Sequence, residues 1–304
     1  MRMIPKAPIR ALSYTLLLLH LSLFAGCSSL LYQPLSLQAY DPAQKELSYE
    51  EVEIEGLDGS KLMGWYFPPK PYLQNTKPKG YVVFFHGNGE NISTHFAALD
   101  WLPEHGYAYF IFDYQGYWRS EGSPSPENTV HDGVKAIEWM NKRRKTENSA
   151  APLFVFAQSL GGTVAMRSVI EMSDHRSDIA GLVLESSFLS YQEMAQSVLS
   201  RSFITWPFQW LPYLVLSDRW APGERVSEIS PVPILVIHGT ADSIVEFEHG
   251  EEIYKSARDP KQFWKVDNGQ HINTFWINEN VHRKKLLEFF KWSESQRTKQ
   301  KQSG

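Results

Sequence analysis

The sequence predicts an α/β fold in which a mostly parallel, eight-stranded sheet is flanked by helices. Three observations predict it: a short alternating hairpin comes first, six continuous apolar runs follow, and helical patterns lie between those runs. Strands buried on both faces read as unbroken apolar runs, whereas a half-exposed antiparallel pair alternates in polarity. One hairpin followed by repeated strand–helix units therefore gives parallel strands joined by right-handed crossovers. The 304 residues, 42% of them hydrophobic and 21% charged, suffice for one large domain. A net charge of −4 supplies no basic face for a nucleic acid. The single cysteine can form neither an internal disulfide nor a cysteine-rich zinc site.

The elements follow in order. Arg2, Lys6 and Arg10 precede an apolar stretch over 11–25. That stretch is shorter than the roughly 20 residues a membrane span needs. A basic start, a short apolar core and the small residues Ala25 and Gly26 read as a secretory signal over 1–26. With Cys27 next, the site resembles a bacterial lipobox, although Phe24 stands where leucine is usual. The resemblance implies cleavage before Cys27, acylation of that cysteine and, with Ser28 following, sorting to the outer membrane on its periplasmic side. An uncleaved anchor helix and an ordinary signal peptide are the alternatives. Cleavage would leave 278 residues and shift the net charge from −4 to −7, so acyl chains rather than surface charge would hold the protein at its membrane. Residues 27–48, with Pro34 and Pro42 and little periodicity, read as a tether.

The domain is expected over 49–296. Residues 51–55 and 61–67 alternate around Gly56-Leu57-Asp58-Gly59, a hairpin signal. The apolar runs are 81–85, 107–112, 153–157, 179–184, 234–237 and 263–266. Val130, Val134 and Ile137 keep helical spacing, as do Val281, Leu286 and Phe290, and 163–171 is a further helical pattern. The rhythm breaks over 190–222, where Phe203, Trp206, Phe208, Trp210, Tyr213 and Trp220 are interrupted by Pro207 and Pro212. The polar tail 297–304 is expected to be disordered. There is no internal repeat, phosphate loop or His-Glu-x-x-His metal pair.

In sheets of this kind ligands bind beyond the carboxyl ends of the strands. Four motifs sit there: His86-Gly87-Asn88-Gly89, Ala157-Gln158-Ser159-Leu160-Gly161-Gly162, His238-Gly239-Thr240-Ala241-Asp242 and Asn268-Gly269-Gln270-His271. The second resembles the nucleophile elbow of the α/β-hydrolases, a strand, a sharp turn and a helix, with Ala157 in place of the usual first glycine. The resemblance implies that Ser159 is the nucleophile and that the backbone N–H groups of Leu160 and Asn88 form an oxyanion hole. His271 would take the serine proton and Asp242 would orient the imidazole. Serine, acid and histidine then follow in the order this fold uses. Glu185, just after its own strand, is the alternative acid. His86 is expected to brace its turn, and His175, His249 and His282 to be solvated.

Two further stretches, 113–122 and 184–188, extend the resemblance to the Bem-like, serine-aminopeptidase-like branch over about 49–292. Gln115 and Trp118 depart from that branch's usual arginine and glycine. The implied activity is hydrolysis of an acyl ester through an acyl-enzyme, with 190–222 as an aromatic cap over the pocket. No metal or organic cofactor is required. The expected partners are a small or lipid-like acyl substrate and, through the anchor, a membrane; no nucleic acid is expected, and the protein should be a monomer. A peptidase or amidase, a thioesterase and a non-catalytic envelope lipoprotein are the rival readings.

Overall fold

The computed structural model describes residues 31–70, 77–147 and 149–303. The expected signal peptide and Cys27 lie outside them. Strand β1 (Glu50–Glu55) pairs antiparallel with β2 (Lys61–Phe67). The six apolar runs become β3 (Gly80–Phe85), β4 (Tyr107–Phe112), β5 (Leu153–Gln158), β6 (Ile179–Glu185), β7 (Ile234–Gly239) and β8 (Lys261–Val266). One eight-stranded sheet results, in the order β1-β2-β4-β3-β5-β6-β7-β8. It is parallel from β4 to β8, and β2 meets β4 antiparallel.

Alternate residues of a strand serve opposite faces, and both faces of this sheet are covered. On β3, Val83 and Phe85 enter one core with Val130, Ile137, Val164 and Val169. Val82 and Phe84 enter the other with Phe96, Trp101, Leu286 and Phe290. Each core is closed by helices: a single turn α1 (Ile92–His95), then α2 (Pro126–Thr146), α3 (Leu160–Glu171), α6 (Phe247–Ser256) and α7 (Glu279–Ser303). Ser125 caps α2 by accepting from the Asn128 N–H, and Pro126 fits its first turn.

Between β6 and β7 the chain makes the expected excursion. It holds α4 (Tyr191–Ser200) and the single turn α5 (Pro212–Val215). Asp218 pins it down by accepting from the Ser190 hydroxyl and from the N–H groups of Tyr191 and Gln192.

Two expectations give way. The tail over 297–304 is helical to Ser303, because α7 runs on through residues that include neither glycine nor proline and Arg297 donates to the Ser177 carbonyl. The segment read as a tether is laid against the domain from Leu31 onward. Tyr32 and Leu47 are buried, Tyr32 and Thr129 share a hydroxyl–hydroxyl hydrogen bond, and Pro34 bridges to Glu90. Among the described residues no helix is long and apolar enough to cross a membrane.

Candidate active site

Ser159 stands between β5 and α3 with φ 53° and ψ −126°, a conformation that costs about 1–3 kcal/mol in a non-glycine residue. The turn is held by its crowding. The Ser159 N–H donates to the Glu185 carbonyl, and a Cβ built on Gly161 would lie 2.3 Å from the His86 carbonyl oxygen. Only glycine at 161 lets α3 start so close to the loop after β3.

The other two motifs reach the serine from the ends of β7 and β8. Their loops are stitched together where Ala241 N–H donates to the Gly269 carbonyl and Asn268 N–H to the Thr240 hydroxyl. His271 Nε2 lies 3.0 Å from Ser159 Oγ. Its Nδ1 lies 2.9 Å from Asp242 Oδ2 and 3.1 Å from Oδ1. Asp242 is buried, and burial alone would push its carboxyl up. The hydrogen bond and positive field of His271, with the N–H donors of Ile244 and Val245, hold it below the ordinary carboxylate range instead. The arrangement carries a hydroxyl, an imidazole and an ionised acid in one line. It can move a proton from Ser159 and keep the charge that forms on His271.

Asn88 and Leu160 both border the cavity above Ser159. Neither backbone N–H has an acceptor among the described residues. The loop holding Asn88 is close: a Cβ on Gly87 would touch Ser159 Cβ at 3.4 Å. The cavity itself measures about 610 Å³, inside the range of about 300–1,000 Å³ usual for small-molecule sites. Its walls are apolar and come largely from the excursion, with Met194, Val198, Leu199, Leu211 and Val215. His271 is the one titrating acid or base among the described lining residues apart from the phenol of Tyr191.

The sequence profile of the serine aminopeptidase family S33 matches residues 76–221. The chain is 31% identical over 261 residues to the uncharacterized protein YfhR of Salmonella typhimurium, covering 83% of this chain and 84% of that one. The chain belongs to the α/β-hydrolase superfamily. It is also 32% identical over 204 residues to the lysophosphatidylserine lipase ABHD12 of Danio rerio, covering 65% of this chain and about half, 51%, of the lipase. The esterase Pf2001 of Pyrococcus furiosus superposes with a TM-score of 0.66 at 20% identity, over 86% of this chain and 97% of that one, which shows a shared fold.

In this hydrolase the remaining expectations sort by geometry. Glu185, the alternative acid, is fully buried and points elsewhere: Oε2 accepts from Gln158 Nε2 and Oε1 from the Thr274 N–H. Burial raises its pKa. It joins the elbow to the segment after His271. His86 braces its turn, with Nδ1 2.8 Å from the Gly87 carbonyl and Nε2 3.4 Å from Asp113. Of the three histidines expected in solvent, His175 is exposed and His249 half-buried, but His282 is buried because α7 turns it onto the Thr274 carbonyl.

One contribution escaped the sequence reading. Leu31 and Gln33 line the cavity, and the side chain of Asn88 binds the backbone of both. No local pattern could have found this, since the partners lie 57 and 55 positions apart.

Proposed function

We propose that this hydrolase cleaves acyl esters through an acyl-enzyme, with Ser159 as nucleophile, His271 as general base and then acid, and Asp242 as the group that orients it. Ser159 Oγ attacks the acyl carbonyl while His271 Nε2 takes its proton. The N–H groups of Asn88 and Leu160 receive the oxyanion, and such donors contribute about 3–4 kcal/mol each. His271 returns the proton to the leaving alcohol, which departs. Water, deprotonated by the same imidazole, then attacks the acyl carbon and Ser159 leaves with the proton.

The observation that carries this reading is the unbroken line Asp242–His271–Ser159 at an apolar cavity. The walls favour an acyl ester over a free peptide amine. An aminopeptidase must hold an ammonium group, and no aspartate or glutamate is among the described lining residues. The lipase activity named for the Danio rerio relative points to the same substrate class. The finer reading is a carboxylesterase acting on hydrophobic or lipid-like esters as a monomer. In the same reading it is held by acylated Cys27 at the periplasmic face of a bacterial outer membrane.

Labelling with a fluorophosphonate tests the nucleophile. Wild type should label and Ser159→Ala, folded, should not; labelling that survives the substitution defeats the assignment. Matched nitrophenyl esters and anilides then separate esterase from amidase, with faster ester turnover expected. Anilide turnover equal to ester turnover contradicts the ester reading.

A further inference from the structure

One stretch of the cap's outer surface is apolar and without charge. Residues 202–217 include no charged side chain. Within them Phe203 is 95% exposed, Ile204 79% and Leu214 60%, with Trp206, Phe208 and Trp210 each more than half exposed. Soluble monomers seldom leave so many large apolar side chains together in water. Three of the segment's polar side chains are already satisfied by the protein: Trp210 Nε1 donates to the Pro207 carbonyl, the Thr205 hydroxyl to the Leu199 carbonyl and the Tyr213 hydroxyl to Gln196. Arg201, the residue just before this stretch, is turned onto Glu246 and the carbonyls of Ser243 and Ile244. What covers this stretch therefore needs to offer few hydrogen bonds and no countercharge.

The chain on either side says where the surface sits. Other residues of the same segment, Leu211, Pro212 and Val215, wall the Ser159 cavity. Leu31, where the described chain begins, lines that cavity too, and Cys27 is four residues earlier. Four residues span about 14 Å at most. The Cys27 backbone can therefore stand no farther than about 14 Å from that of Leu31, and an acyl group on it would bring a bilayer into the neighbourhood of the cavity wall.

We propose that the outer side of the cap, built from Phe203, Ile204, Trp206, Phe208, Trp210 and Leu214, docks on a lipid bilayer, so that the Ser159 cavity draws its ester from the membrane. The proposal rests on the esterase reading and the Cys27 anchor given above, and adds a second contact that the anchor alone does not supply. Tryptophan and phenylalanine suit the headgroup boundary, and the contact depends on buried apolar area rather than on charge. It should accordingly survive high salt.

The test uses the mature protein acylated at Cys27 in phosphatidylcholine vesicles whose acyl chains carry bromine, a short-range quencher of tryptophan. Emission from Trp206 and Trp210, taken as the difference between wild type and Trp206→Phe/Trp210→Phe, should be quenched at low and high salt. Phe203→Ser/Ile204→Ser/Leu214→Ser should slow turnover of a long-chain nitrophenyl ester held in vesicles by about tenfold or more, while nitrophenyl butyrate in solution stays within about twofold. Unquenched cap tryptophans overturn the proposal, as does vesicle turnover that the triple variant leaves unchanged. A lipid-independent dimer that buries the same residues and leaves them unquenched overturns it in favour of a second copy. Failure of the esterase reading would show separately, as no butyrate turnover by wild type, and the quenching would still report on docking.

Discussion

Asn88 Nδ2 donates to the Leu31 carbonyl at 2.8 Å. The same side chain accepts from the Gln33 N–H at 2.9 Å and from the Tyr117 hydroxyl at 3.1 Å. A segment read from the sequence as a tether is thus fastened to the loop whose backbone N–H is proposed above to receive the oxyanion. Farther along, Asn91 Nδ2 donates to the carbonyls of Leu35 and Leu37, which seats the rest of the strap. The strap and the oxyanion loop hold each other in place.

Asn88→Ala keeps the backbone donor and removes its fastening. Displacement of about 1 Å at a reacting group costs up to about 100-fold, so kcat should fall by about 10- to 100-fold with KM little changed. Asn88→Asp should lie between, because it retains the accepted bonds and loses only the donated one. Steady-state kinetics on nitrophenyl butyrate decides this. An Asn88→Ala enzyme with wild-type kcat would mean that the strap does not position the loop.

The two buried acids near His271 should separate cleanly. Asp242→Asn leaves the Ile244 and Val245 N–H groups an acceptor but presents the wrong partner to His271 Nδ1, and kcat should fall by about 10⁴-fold. Glu185→Gln removes one of two accepted bonds between the elbow and Thr274. It should cost about 1–3 kcal/mol of stability and less than about tenfold in kcat. Urea unfolding alongside kinetics reads both numbers; a Glu185→Gln enzyme as slow as Asp242→Asn would reassign the acid.

Glycines 161 and 162 test the elbow by volume. A Cβ at 161 would press on two backbone carbonyls, and one at 162 would lie 2.5 Å from Ser187 Cβ. Backbone cannot swing aside, so Gly161→Ala should destabilise by about 1–3 kcal/mol or more and abolish fluorophosphonate labelling. Ala157→Gly should cost no more than about 1 kcal/mol, since it only loosens the strand end. Near-native labelling of Gly161→Ala would show that the loop after β3 can retreat.

The sheet was legible because its strands β3 to β7 are buried on both faces, which leaves the unbroken apolar runs at 81–85 and 153–157 in plain view. The residues that meet at the cavity were legible for a related reason: in such sheets they follow strand ends, and Ser159, Asp242 and His271 follow β5, β7 and β8. The strap was not, because Leu31 and Gln33 gain their meaning only from Asn88. The end of α7 was misjudged because a polar composition marks solvation, not disorder, and only the contact of Arg297 with Ser177 distinguishes the two. Glu185 showed its position in the sequence but not its direction.

Asp132 gives a pH dependence with a definite sign. It is buried in α2 and accepts from the N–H and side-chain amide of Gln115. Burial pushes its carboxyl up from 3.8 to about 7, the two bonds from Gln115 opposing and the nearby Asp58 adding. Between those pH values the unfolded chain has released this proton and the folded one still holds it. Unfolding therefore releases a proton, and stability should fall as pH rises from about 4 to about 7, then level off. Glu185 and Asp113, also raised by burial, add to the same slope. Asp132→Asn keeps one acceptor for Gln115 and cannot ionise, so it should flatten part of the slope and raise the urea midpoint at pH 8 relative to wild type. An Asp132→Asn curve parallel to wild type across that range would show that Asp132 is already ionised in the folded protein.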